Sequence, residues 1–244
     1  MTAQKHLTRH DMKQDELVSW MTRAIIWAEQ NTSRLLAGVG ALVALLLVIM
    51  GIYMWAGSRT RDAYGMLAGV QKIVRTPLAS EADAGSDSFA TQRERAQRTV
   101  DAADGLLEAH SSGDAANWAR YYRAVALLDL GRSEDAVAAA TAVIEATRGD
   151  EMLGGLARMV AGQAEEARSN LPAAVEQYAA AAEHDGSAFP PELAMLNQAR
   201  CLDSMGRPQD AIAVYQKVLD LHGNSPLAER ASRSLESLRG AVAP

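Results

Sequence analysis

The side chains of this 244-residue chain that could carry covalent chemistry are few, and none joins a working constellation. Its histidines are His6, His10, His110, His184 and His222. His6 and His10 have i, i+4 spacing, which would put two imidazoles on one helix face, half of a zinc site. No cysteine or carboxylate completes it, so the pair reads as part of a polar tail. The single cysteine, Cys201, excludes an internal disulfide and sits in an alanine-rich stretch, where a small core residue is expected. Glu165–Glu166 and the pair Arg59 and Arg61 read as solvated faces. Between Thr76 and Ser88 the acids are Glu81, Asp83 and Asp87, too few for a convergent acid–base site. No glycine-rich phosphate loop, nucleophile elbow or Cys–His pattern is present. These observations predict a protein that is not an enzyme, with no catalytic, cofactor-binding or metal-binding residues and no small-molecule substrate.

Charge narrows the partners. Of the formal net charge of −6, the tail to residue 34 contributes +1 and residues 57–244 contribute −7. A negative domain repels phosphate backbones, so nucleic acid is not an expected ligand.

The elements that must position any binding surface begin with residues 35–56, LLAGVGALVALLLVIMGIYMWA, which carry no charge. As a helix this stretch is roughly 33 Å long, enough for a hydrocarbon core of about 30 Å. Arg34 closes it on one side and Arg59 and Arg61 on the other, with Tyr53 and Trp55 near the exit, where amphipathic rings favour headgroups. The run is longer than a signal-peptide core and follows a long leading segment, so it is read as a transmembrane helix in contact with membrane lipid. Ala37, Ala41, Ala44, Val48 and Gly51 form a stripe at i, i+4, i+7, i+11 and i+14, where a neighbouring membrane helix could approach closely. Before the span, residues 15–30 have an amphipathic pattern. Leu17, Trp20, Met21, Ala24, Trp27 and Ala28 share one half of the wheel, suited to the headgroup plane. The expected domains are a tail at 1–34, a transmembrane helix at 35–56 and a repeat domain at 57–244.

Beyond the span the chain is rich in Ala, Leu, Glu and Arg without strand alternation, which predicts helices throughout. The segment Gly131-Arg132-Ser133-Glu134-Asp135-Ala136 recurs as Gly206-Arg207-Pro208-Gln209-Asp210-Ala211, with a weaker copy from Ser169 to Ala174. Ala136, Ala174 and Ala211 are therefore spaced by 38 and 37 residues. Three more registers keep that step: Ala124, Gly162, Ala199; Val143, Ala181, Val218; and Ala140, Tyr178, Tyr215. Small residues at such positions let two helices approach, and larger ones a few positions away fill the seam. Gly131, Ser169 and Gly206 are expected to end the first helix of each pair. Three pairs span about 115–222, Pro226–Leu238 is a terminal capping helix, and Arg61–Val74 with Phe89–His110 forms a further pair. The segment Thr76–Ser88 reads as a mobile loop.

This pattern resembles tetratricopeptide repeats, with a period of 37–38 in place of the usual 34. The fold implied is all-α, an amphipathic and transmembrane helix followed by a tetratricopeptide-like solenoid. By that analogy the first helices line a groove that accepts partner segments, and the residues aimed at it are Trp118, Tyr121, Val125, Leu156, Met159, Leu193 and Leu196.

Tail, span and repeats together resemble a family of single-span bacterial inner-membrane proteins, the tetratricopeptide-like ancillary subunit of the Sec translocon. The resemblance is carried by Trp27-Ala28-Glu29-Gln30-Asn31, the Gly- and Ala-rich first half of the span, the exit at Tyr53 and Trp55, and the alanine-rich repeats. It implies a cytoplasmic tail, a periplasmic repeat domain, and translocon subunits, periplasmic chaperones and exported polypeptide as partners. Basic residues near the span are Arg23 and Arg34 before it and Arg59, Arg61, Lys72 and Arg75 after it, a balance that taken alone points the other way. Long domains translocate regardless of such charges, and the orientation follows from the resemblance. An envelope or cell-division scaffold built on the same repeats is the alternative function.

Overall fold

The structure, a computed structural model, describes residues 20–23, 26–27, 29–82, 87–148, 151–183 and 189–242. The chain divides into two compact units, Met1–Thr60 and Arg61–Pro244. Nine helices have defined bounds among the described residues: α1 Thr32–Arg75, α2 Gln92–Ala109, α3 Asp114–Asp129, α4 Ser133–Ala146, α5 Glu151–Ala167, α6 Leu171–Ala182, α7 Pro191–Ser204, α8 Pro208–His222 and α9 Ala228–Val242.

In the first unit, Trp20, Met21, Ile26 and Trp27 are helical and exposed. Leu17, Ala24 and Ala28, which belong to the expected amphipathic face, lie outside the residues whose side chains are described, as do His6 and His10. The apolar part of α1 buries none of its large side chains, from Leu36 through Trp55. That helix is long and apolar enough to cross a membrane by length and composition. Near the end of the apolar run, the Arg59 guanidinium sits 4.9 Å from the centroid of the Trp55 ring, a cation–π contact.

The second unit is an array of antiparallel neighbours. Each helix from α2 to α9 packs on the next, and α3 also meets α5, so the first helices of the first two pairs touch. The four sequence registers are the seams of this array. Ala136, Ala174, Ala211, Ala124, Ala199, Val143, Ala181, Val218, Ala140 and Tyr178 are all fully buried, and Tyr215 is nearly so. Ala63 and Leu67 of α1 join Ala103, Leu106 and Ala116 in one core cluster, which ties residues 61–75 to α2 and α3.

The corner inside each pair is the same turn three times. Gly131, Ser169 and Gly206 have φ of 77°, 63° and 72°, the left-handed region. At each corner the amide of that residue donates to the carbonyl three back, and the next amide donates to the carbonyl five back: Arg132 to Leu127, Asn170 to Glu165, Arg207 to Leu202. This double closure satisfies carbonyls that the helix end would otherwise leave open. After two of the corners an arginine reaches forward to the first turn of the next helix, Arg132 to Asp135 at 2.7 Å and Arg207 to Asp210 at 2.7 Å.

The start of α2 is fixed by Thr91, whose hydroxyl accepts from the Glu94 amide at 3.1 Å, while Glu94 accepts from the Ala90 amide at 3.2 Å. The segment before it departs from the expected mobile loop. Ala79 donates to the Phe89 carbonyl at 2.8 Å and Phe89 to that of Pro77 at 3.0 Å, so backbone pairing pins both ends. Residues 83–86 lie outside the described residues.

Candidate protein-interaction site

The aromatic side chains of α3 gather because residues three and four apart share a helix face. Trp118 and Tyr121 meet edge to face at 5.7 Å between centroids, Trp118 and Tyr122 lie 6.0 Å apart, and Tyr121 and Tyr122 5.5 Å apart. All three are half-buried. Trp118 and Tyr121 rest on Val143 of their own pair and on Leu153 and Ala157 of the next. Burial, with the neighbouring Tyr122 as a smaller cause, pushes the Tyr121 hydroxyl above its ordinary pKa. It is therefore a neutral donor at physiological pH. Beside this cluster Tyr122 and Val125 line a cavity of about 190 Å³ with Val74, Arg95, Thr99 and Asp129.

The remaining groove residues divide. Leu156, Met159 and Leu193 share a cluster with Tyr178 and Phe189, whereas Leu196 belongs to a separate one with Tyr215 and Val218. Leu156 and Leu193 are half-buried and keep surface to offer. Met159 and Leu196 do not, being 6% and 4% exposed. For these two the expected place on the wall is corrected: a first helix also faces its own second helix, and their side chains are consumed in that seam. Ala37, Ala41, Ala44, Val48 and Gly51 are exposed along the apolar part of α1, and a Cβ on Gly51 would meet nothing within 4 Å.

Glu165 and Glu166 are likewise not a solvated face. Glu165 is buried and accepts from Arg168 at 3.1 Å and Asn170 at 2.9 Å, bracing the corner at Ser169. Glu166 crosses to the next pair. Both of its carboxylate oxygens accept from the Arg200 guanidinium, one at 2.8 Å, and Oε2 also accepts from the Tyr178 hydroxyl at 3.0 Å. The fork of Arg200 holds the Glu166 carboxyl below its ordinary value. Tyr178 is pushed upward, chiefly by burial and then by the Glu166 charge. Cys201, fully buried beside this network, has its thiol pushed up to about 11, first by burial, so it is inert at neutral pH. Among the described residues no group of three or more His, Cys, Asp or Glu converges as a metal site would.

Tyr122 was the residue to add from sequence, since its i, i+4 spacing from Trp118 was visible. The Glu166–Arg200 link was not, because 34 residues separate its partners and only the packed array closes that distance.

Residues 159–229, from the middle of α5 into α9, match a family described as tetratricopeptide repeat. No curated protein matches the chain. The match falls on the second and third helix pairs, where the register residues are buried and the corner turn repeats. The helix-pair array is a tetratricopeptide-like solenoid, a fold that serves protein–protein interaction.

Proposed function

We propose that the chain is a membrane-anchored interaction scaffold that works beside the Sec translocon and periplasmic chaperones to assist exported proteins. The observation that carries this reading is the conjunction of one long apolar helix with a tetratricopeptide-like array that presents half-buried aromatics. Aromatic anchors set in a packed seam lose little conformational entropy on binding and commonly dominate interface energy. The proposed wall is Trp118, Tyr121, Tyr122 and Val125 on the first pair, with Leu156 and Leu193 continuing it. The stripe from Ala37 to Gly51 is the second proposed contact, toward a neighbouring membrane helix. In this reading the tail is cytoplasmic, α1 crosses the bacterial inner membrane once, and residues 57–244 act in the periplasm.

The test is photo-crosslinking of the full chain in native membranes, with the reactive residue at Leu156 and separately at Ala44, followed by purification and identification of adducts. Translocon subunits, periplasmic chaperones or exported chains in the adducts support the proposal. Recovery of cell-division or envelope-assembly proteins in their place moves the scaffold to that process. Absence of any adduct from both positions overturns the interaction reading at these surfaces.

A further inference from the structure

Helices α7 and α9 face each other across an open cleft of about 370 Å³. Two helical stripes wall it. Leu196, Arg200 and Asp203 lie at i, i+4 and i+7 on α7, and Arg230, Arg233, Ser234 and Ser237 at i, i+3, i+4 and i+7 on α9. Such spacings bring each set onto one face of its helix. Leu196 and Tyr215 close the base of the cleft with only 4% and 6% exposure, and the half-buried Leu238 is the apolar lining side chain that keeps surface.

The electrostatics of the lining oppose those of the chain. The sequence has 24 Lys and Arg against 30 Asp and Glu, yet the charged residues around this cleft are three arginines and Asp203. Arg200 is oriented by Glu166, which accepts two of its five N–H groups and leaves the others available. Arg233 pairs with Glu229 at 3.9 Å, with side chains 72% and 81% exposed, a contact that a competing carboxylate displaces at little loss. Arg230 has no ion-pair partner among the described residues. A small anion would use these guanidinium groups and leave Leu238 wet. An extended peptide uses both, and its backbone meets Ser234 and Ser237, about 4.5 Å apart along the helix axis.

We propose that this cleft binds an extended acidic segment of a partner polypeptide, with a carboxylate held by Arg230 and Arg233 and a neighbouring apolar side chain seated against Leu238. The inference rests on the reading of the array as a polypeptide-binding scaffold and names a chemical class of partner for its C-terminal end.

The experiment uses the full chain in nanodiscs of neutral phosphatidylcholine, with empty discs as blank. The probes are two fluorescein-labelled nonapeptides, one alternating Glu and Leu and the other alternating Gln and Leu, followed by fluorescence anisotropy. The acidic peptide is expected to bind at least about tenfold more tightly, and the double variant Arg230→Gln, Arg233→Gln to abolish that preference with helicity intact. Arg93→Gln with Arg98→Gln, an equal charge change on α2, is expected to retain it. Should the cleft variant lose helicity, Ser234→Asp tests the same site by adding one negative charge, and weaker acidic-peptide binding is expected. Equal loss in both double variants, or displacement of the peptide by millimolar inorganic phosphate, overturns the proposal in favour of diffuse charge or a simple anion site. Equal affinity for the two peptides overturns it while leaving the scaffold reading intact. Failure to bind either peptide also overturns it, and the crosslinking adducts then decide separately whether the scaffold reading falls too.

Discussion

The ring of Tyr178 lies against the backbone of Gly162 so closely that a Cβ built on that glycine would stand 2.6 Å from the ring Cε1. Phe189 does the same one pair of turns earlier, at 3.1 Å from a Cβ on Gly155. The second repeat thus places two large rings on two glycines seven residues apart, where the first repeat uses Ala124 and Ala140 for the equivalent contact.

Gly162→Ala is therefore expected to destabilise the second unit by about 1–3 kcal/mol, because a fully buried ring cannot withdraw. Ala136→Leu and Ala211→Leu overpack the flanking seams by a similar amount. Thermal unfolding followed by circular dichroism reads the effect. An unchanged melting temperature for all three would mean that these residues are not the seams.

The corners give opposite expectations for the same kind of change. Gly131→Ala and Gly206→Ala force a side chain into the left-handed region and are expected to cost about 1 kcal/mol each. Ser169→Gly relieves that strain and is expected to be neutral or slightly stabilising. Denaturant titration of the three variants orders them, and a destabilised Ser169→Gly would contradict the shared turn.

Glu166 makes stability depend on acid pH. Its folded-state pKa lies below its ordinary value, so its contribution is fully present above the unfolded carboxylate value, about 4.3, and is lost as pH falls through the folded one. Glu166→Gln is expected to cost about 1 kcal/mol at neutral pH, as a partly exposed pair does. The gap between wild type and variant should close on acidification. Melting temperatures at several pH values from neutral downward check the sign, and a gap that widens in acid refutes the assignment.

At the proposed wall, Trp118→Ala with Tyr121→Ala is expected to weaken capture of unfolded polypeptide by at least about tenfold with helical content preserved. Loss of helix in parallel would return both rings to the core. Tyr122→Ala extends the test to the third ring, and anisotropy with a labelled unfolded client measures all three.

Topology has its own check. Alkaline phosphatase fused after Pro244 is expected to be active, and a reporter that works only in the cytoplasm to be silent at the same position. The reverse pattern would place residues 57–244 in the cytoplasm.

The sequence disclosed whatever repeats. Ala136, Ala174 and Ala211 announce a seam because each sits at the same step in its pair, and the corner at Ser169 was legible only through its glycine counterparts. What depends on side-chain choice among half-buried positions was not legible. Met159 and Leu156 are three residues apart on one helix, yet one is buried and the other half-exposed, and periodicity cannot separate them. Nor could composition show that Glu166 reaches Arg200, since a pair of glutamates reads as surface until the neighbouring helix is in place.

The corners also bear on how such a chain can change over generations. In the three pairs α3–α4, α5–α6 and α7–α8 the internal connection has the same length, residues 130–132, 168–170 and 205–207, whereas the connections after these pairs run from 147 to 150, from 183 to 190 and from 223 to 227. The first kind is a fixed hinge, locked by two backbone hydrogen bonds, and tolerates no insertion. The second kind differs in length from link to link, at four, eight and five residues. Insertions are therefore expected to be accepted more readily in the links between pairs than at the hydrogen-bonded corners.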